Sequence, residues 1–371
     1  MVGAGPAGCA AGIVLARAGI DVCVIDRARF PRSKVCGDAV SNEGMALIRA
    51  LGGLAAVEAS PHALVHRAAA VFPDRTRIER DYEPPGYIVP RAHLDDCLRR
   101  ALESTPARLI QGCNVSELVC QGEQVAGARG PELRWFAPLV IAADGYGSVG
   151  LPALGARAPR GRYLGISATA YFRGVGFPDG ASVADHYFEA ELPYGYGWIF
   201  PAVEGVSNLG VYLRADGYAS SGRPLAELLR AFIARRADRV AGAAQVGKSR
   251  VWLLPLAPRP IGLSAPGLLL AGDAGGSIDP FTGEGIWQAL HTGMLAGEIA
   301  AAAIRAGELT APLRARYARA CERSIGRSSR AKGWVQHAMT WLVDHELYRL
   351  SAVRAALRFG YRHRALEMTK S

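Results

Sequence analysis

The apolar positions change period several times along the chain. Met1 and Val2 lead into a Gly-rich turn, and the Ala-rich stretch 9–18 predicts a helix that Gly19 ends. Residues 21–25, Asp-Val-Cys-Val-Ile, predict a buried strand. Residues 70–90 alternate and predict a hairpin, and Arg91–Glu103 predicts a helix. Short strands follow over 108–143, ending on an apolar run before Asp144-Gly145. Residues 163–214 are strand-rich and crowded with aromatics, among them Tyr171, Tyr187, Phe188, Tyr196, Trp198, Phe200 and Tyr212. Residues 224–237 predict a helix, 268–271 a second buried strand, and helices run from about Gly285 to the end.

This order is α/β with an interruption. Segments 1–65, 88–160 and 250–310 predict one discontinuous Rossmann-like domain. Segments 66–87 and 161–249 predict an antiparallel β-sheet domain, and 311–371 a C-terminal helical segment. A buried first strand needs about five or six apolar residues. Only Met1 and Val2 precede Gly3, so the strand is expected to begin upstream.

Half the residues are apolar, which excludes a disordered chain. The net charge of +10 is uneven: residues 314–371 hold 13 Lys+Arg against 4 Asp+Glu, and the rest is nearly neutral. That distribution argues against a nucleic-acid binder built on one broad basic face. In the tail, Trp334, Met339, Trp341, Leu342, Leu350, Leu357 and Phe359 recur at spacings near three and four. An amphipathic helix packed on the body fits this pattern; contact with a membrane surface or an anionic carrier are the alternatives. Seven irregularly spaced cysteines without a CxxC point to a reducing cytoplasm. No signal peptide precedes the first motif, and no apolar run reaches the roughly 18 residues of a membrane span. His62 and His66 lack a third ligand nearby, so no metal is expected.

Three segments carry chemistry. Gly3-x-Gly5-x-x-Gly8 combines a tight turn, a close backbone approach and a helix start, the arrangement that takes a pyrophosphate; Asp26 and Arg27 end the next strand, where Asp26 can accept from ribose hydroxyls. Gly37 permits close backbone approach to a ligand; Cys36 beside it is a reactive thiol or packing against a flat ring, although a buried, inert cysteine is the commoner state for such a residue alone. Gly272-Asp273, followed by Pro280, Gly283, Gly285 and Ile286, runs from a buried strand through a Gly-rich loop into a new helix.

Together these segments resemble FAD-dependent oxidoreductases of the p-hydroxybenzoate hydroxylase fold. Asp144-Gly145-x-x-Ser148 is similar to that fold's DG motif. Pro31-Arg-x-Lys34-x-Cys36-Gly37 and Gly195-Tyr196-Gly197-Trp198-Ile199-Phe200-Pro201 are similar to the geranylgeranyl reductase branch. The resemblance covers residues 1 to about 310. It implies Ala7 and Gly8 at the pyrophosphate, Asp26 at the adenosine ribose, and Val115 at adenine. It further implies Arg91 at a phosphate or the ribityl, Asp273 at the ribityl, Gly285 and Ile286 at the flavin pyrimidine edge, and Cys36 and Gly37 beside the ring. Tyr196 and Trp198 would line a substrate cavity.

The implied activity is reduction of a C=C bond in a hydrophobic, isoprenoid-like or natural-product substrate. Reduced flavin would give hydride to one carbon, and Cys36, Tyr196 or water a proton to the other. A second dinucleotide fingerprint is missing, so NAD(P)H would dock transiently, or another donor would serve. Two alternatives stand: a flavin monooxygenase using the same cavity, and a prenyl-binding protein that has lost the flavin. The second is disfavoured because the glycines, Asp26 and Asp273 are present.

Overall fold

The structure is a computed structural model that describes residues 1–131, 133–177, 180, 182–257, 263–309 and 311–362. Val2 knits its first sheet together. It bridges in parallel to Ile25 on one side and to Ala142 on the other. Beyond Ile25, Cys23–Asp26 pairs in parallel with Arg108–Gln111. Beyond Ala142, Val140–Ala142 pairs in parallel with Leu268–Leu270, and Ser264–Ala265 closes that edge. Parallel strands buried on both faces read as unbroken apolar runs, which is how 139–143 and 268–271 stood out. Pro6–Arg17, Arg91–Glu103 and Ile286–Ala306 pack on this sheet through Ile13, Leu94, Leu98, Leu102, Leu290 and Ala296. The helices Pro6–Arg17 and Ile286–Ala306 approach closely because Gly293 has no side chain: a Cβ there would lie 2.2 Å from the Ala7 carbonyl oxygen.

The second sheet has eight strands, in the order Ala244–Pro255, Leu164–Arg173, Val206–Arg214, Tyr196–Ile199, Val183–Tyr187, Ala63–Val71, Arg77–Ile88 and Ala39–Val40. It departs from the expected antiparallel sheet at one place: Val183–Tyr187 pairs in parallel with Ala63–Val71. There two antiparallel groups, from distant parts of the chain, meet side by side. The sheet also takes in Ala39–Val40, and its edge strand Ala244–Pro255 spans position 250, expected as a domain boundary.

One face of this sheet is covered by the helix Leu225–Ala234 through Leu228, Leu229 and Phe232. A Cβ at Gly197 would lie 2.2 Å from the Phe232 ring, so Gly197 marks the covered side. Strand side chains alternate, and Tyr196, Trp198 and Phe200 belong to the core of the opposite face. The tail folds as Ala311–Cys321, a π-turn over Glu322–Gly326, then Arg327–Asp344 and Ser351–Arg362. It joins that same core: Met339, Val343 and Tyr348 are buried there, and Tyr348 stacks on Phe72 with ring centroids 5.3 Å apart. Residues 363–371 of the expected helical segment lie outside the described residues.

Candidate functional site

A continuous cavity of about 1420 Å³ runs from the Gly-rich turn to the aromatic face of the large sheet. At the turn, Gly3 has φ +94°, and a Cβ there would lie 2.5 Å from the Ala143 carbonyl oxygen. A Cβ at Gly8 would lie 1.9 Å from the Gly3 carbonyl oxygen, so Gly8 shapes the turn from behind and does not line the cavity. The helix Pro6–Arg17 starts at Gly5 without a side-chain cap, and Gly5, Pro6 and Ala7 line the cavity. Its first-turn N–H groups therefore retain the affinity for anions that an uncapped helix start carries. Asp26 is buried and braces the turn: its Oδ2 accepts from Ala4 N–H at 2.7 Å and its Oδ1 from Ala28 N–H at 2.8 Å. Arg27 and Val115 line the same end.

The middle of the cavity holds two acidic groups. Asp144 accepts from Val149 N–H at 2.8 Å through Oδ2, while its buried Oδ1 has no partner, and burial raises its pKa. Asp273 pairs with Lys34 at 3.3 Å. Opposite, the helix Ile286–Ala306 starts at Gly285, again without a side-chain cap. Gly283, Gly285 and Ile286 line the cavity, whereas Gly272 and Pro280 lie behind its wall. Gly272 gives its N–H to Thr292 Oγ1 at 2.9 Å, and the Pro280 carbonyl accepts from Tyr212 at 2.8 Å and from Gln336 at 2.5 Å.

Cys36 and Gly37 sit where this polar half meets the aromatic half. Burial pushes the Cys36 thiol pKa up, so the thiol stays protonated. Arg91 is buried, and its fork grips Asp95 at 2.9 and 2.8 Å. Burial opposes its charge, but the Asp95 carboxylate and a hydrogen bond with Cys36 hold its pKa above the ordinary value. Its charge is thus already partnered before any ligand binds. Beyond Gly37 the walls are His186, Phe188, Tyr196, Trp198, Phe200 and Phe281. His186 stays neutral because burial pulls it down to about 4. Tyr196 donates its hydroxyl proton to the Thr282 carbonyl, and burial with nearby Asp279 and Glu284 drives its pKa far up.

Sequence reasoning missed a buried network under Cys36-Gly37. Asn208 donates to the Cys36 carbonyl and to Asp38 Oδ2, both at 2.8 Å, and accepts from Trp198 Nε1 at 2.9 Å. Tyr171 donates to the same Asp38 oxygen at 2.7 Å. Burial raises Asp38 to about 6 despite these bonds. Also missed were Glu284 and the tail residues Lys332, Met339, Leu357 and Tyr361, all in the cavity wall. Asp38 directly follows one recognised motif and Glu284 lies within another; the tail residues carried no motif at all.

The donor set fits FAD. Two uncapped helix starts face one cavity, one suited to a pyrophosphate and the other to an electron-rich ring edge. Between them, the orphan Asp144 Oδ1 needs a hydroxyl donor of the kind a ribityl chain supplies.

Comparisons agree. Residues 1–191 match the FAD binding domain family. The chain is 32% identical over 321 residues to the menaquinone reductase of Mycobacterium tuberculosis H37Rv, covering 81% of this chain and 75% of that one. It is 28% identical over 369 residues to the digeranylgeranylglycerophospholipid reductase of Methanocella arvoryzae, covering 94% and 88%. Among solved structures, a geranylgeranyl bacteriochlorophyll reductase-like protein from Thermoplasma acidophilum superposes with TM-score 0.84 at 22% identity, over 93% of this chain and 88% of that one. The flavin-dependent brominase Bmp2 superposes with TM-score 0.77 at 20% identity, over 96% and 91%, and so shares the fold. The chain belongs to the geranylgeranyl reductase family of FAD-dependent oxidoreductases, and its cofactor is FAD.

Proposed function

We propose that this enzyme reduces carbon–carbon double bonds in a polyprenyl chain. The observation that carries the reading is the single cavity, polar and anion-binding at one end, aromatic at the other, with Cys36-Gly37 at the junction. Relatives named as reductases of geranylgeranyl-bearing molecules support the chemical class.

When bound, FAD supplies two electrons and one hydrogen to an alkene carbon. The N–H groups of Gly5 and Ala7 would hold the pyrophosphate, and Asp26, Arg27 and Val115 the adenosine end. Asp144 and Asp273 would take ribityl hydroxyls, and the N–H groups of Gly285 and Ile286 the pyrimidine edge. Gly37 leaves room for the ring: a Cβ there would lie 3.2 Å from Phe200. Tyr196, Trp198 and Phe200 orient an apolar chain and exclude water. NAD(P)H docking transiently, or another donor, would reduce the flavin. The basic tail helices would dock on an anionic lipid surface.

The test is to ask what reoxidises anaerobically reduced holoenzyme. A polyprenyl lipid should do so without oxygen and gain two hydrogens. No reoxidation by any polyprenyl lipid, with a hydroxylated or halogenated aromatic product appearing under oxygen, would replace this reading with the monooxygenase one.

A further inference from the structure

Saturating a C=C bond takes a proton as well as the hydrogen and electrons that come with the flavin. Most acids in the cavity are committed elsewhere. Tyr196 donates its O–H in a hydrogen bond to a carbonyl, Asp273 is held by Lys34, and Asp279 is held by Lys332 and by the N–H groups of Phe281 and Thr282 at 2.9 and 3.1 Å. Burial raises the Cys36 thiol pKa against the lowering effect of Arg91, which makes it a weaker acid still.

Glu284 differs. It lies in the cavity wall between Gly283 and Gly285, and its buried Oε1 has no hydrogen-bond partner. Its loop abuts the aromatic half: a Cβ at Gly283 would be 3.8 Å from the Tyr196 hydroxyl. The loop is fixed by Glu284 N–H on Thr282 Oγ1 at 3.2 Å and by the Glu284 carbonyl accepting from Asp279 N–H at 2.9 Å.

Resting on the reading above, we propose that Glu284 is the proton donor of the reduction. Its O–H bond breaks as a C–H bond forms at the alkene carbon that does not receive hydrogen from reduced FAD. The two electrons come from reduced FAD, and solvent re-protonates the carboxylate left behind.

The surroundings tune this carboxyl to the task. Burial raises its pKa most. The nearby Ser41 hydroxyl opposes that, Asp279 on the same loop adds to it, Lys332 on Arg327–Asp344 opposes it, and Glu43 adds to it; the balance lies at about 7. An acid poised near the working pH is both protonated and willing to give the proton up. Lys332, ion-paired with Asp279 on the same loop, also lowers the cost of the anion left behind.

The test uses E284Q and E284D holoenzymes that retain bound flavin. Anaerobic reoxidation of reduced enzyme by a polyprenyl lipid should slow about 10²- to 10⁴-fold in E284Q, with partial recovery in E284D. The wild-type rate should fall as pH rises through about 7, and this step should vanish in E284Q. Independently of turnover, infrared titration of the apoprotein should show a carboxylic-acid C=O band lost near pH 7 in the wild type and missing from E284Q. Wild-type rate and pH profile in E284Q would overturn the assignment. Failure of every polyprenyl lipid to reoxidise wild-type enzyme would instead overturn the reductase reading, and the donor role with it.

Discussion

Asp38 is a carboxylate with 1% of its surface exposed, and it holds the backbone of the Cys36-Gly37 segment in place through Asn208. Burial lifts its pKa from 3.8 to about 6 in the folded protein. A carboxyl raised on folding binds its proton more tightly in the native state. Its contribution to stability is therefore complete below about 4 and is lost as pH rises through about 6. D38N removes that titration. Urea midpoints measured across this window should fall with pH more steeply in the wild type than in D38N; parallel curves would show that Asp38 does not titrate there. The sequence displayed Asp38 one residue after Cys36-Gly37, yet its role was not legible. Its partners Asn208 and Tyr171 stand 170 and 133 residues away, and nothing in local spacing announces such a meeting. Glu284 escaped for a related reason: the glycines on both sides explained the motif, and only the folded cavity shows that its carboxyl oxygen lacks a partner.

Elements were more legible than side-chain networks, because periodicity is a local property. Arg91–Glu103 forms over the residues its apolar spacing predicts, since Leu94, Leu98 and Leu102 fall on one buried stripe. The Gly-rich turn was legible because few backbones can run so close together. Its tightest point gives a clear prediction. G8A puts a methyl group against the Gly3 carbonyl, both fixed by the sheet and the helix. G8A protein should be purified without flavin absorbance at an expression temperature where the wild type is yellow; a yellow, fully loaded variant would mean that the turn relaxes. The parallel junction between Val183–Tyr187 and Ala63–Val71 was not legible, because strand pairing between distant segments depends on which edges remain open after each hairpin forms. The role of the tail as a cavity wall was hidden for a different reason. Met339, Leu357 and Tyr361 look like ordinary helix core until the large sheet is curled against them.

At the scale of the whole molecule, charge and cavity meet on the same helices. No helix among the described residues is long and apolar enough to cross a membrane. The inner face of Arg327–Asp344 buries Met339 and Val343, and Leu357 of Ser351–Arg362 lines the cavity. The outer side leaves Trp334 79%, Trp341 57% and Phe359 64% exposed. Trp334 and Trp341 are two turns apart on one helix face, and exposed Arg323, Arg327 and Arg330 lie on the N-terminal side of Trp334, Arg330 paired with Glu322. Tryptophan seated among arginines suits the boundary between an anionic headgroup layer and its acyl chains. A bilayer met by this face would lie one helix away from the aromatic half of the cavity, where a polyprenyl chain would need to arrive. Replacing Trp334 and Trp341 together with Ala should weaken binding to phosphatidylglycerol vesicles by about tenfold or more, on the scale of buried aromatic area. Flavin content should be unchanged, since neither ring lines the cavity. Wild-type binding should also decline as salt rises, because the arginines act through a screened field. Equal vesicle binding by the double variant, or wild-type binding as tight to uncharged vesicles, would mean that the positive charge of the tail serves something other than a lipid surface.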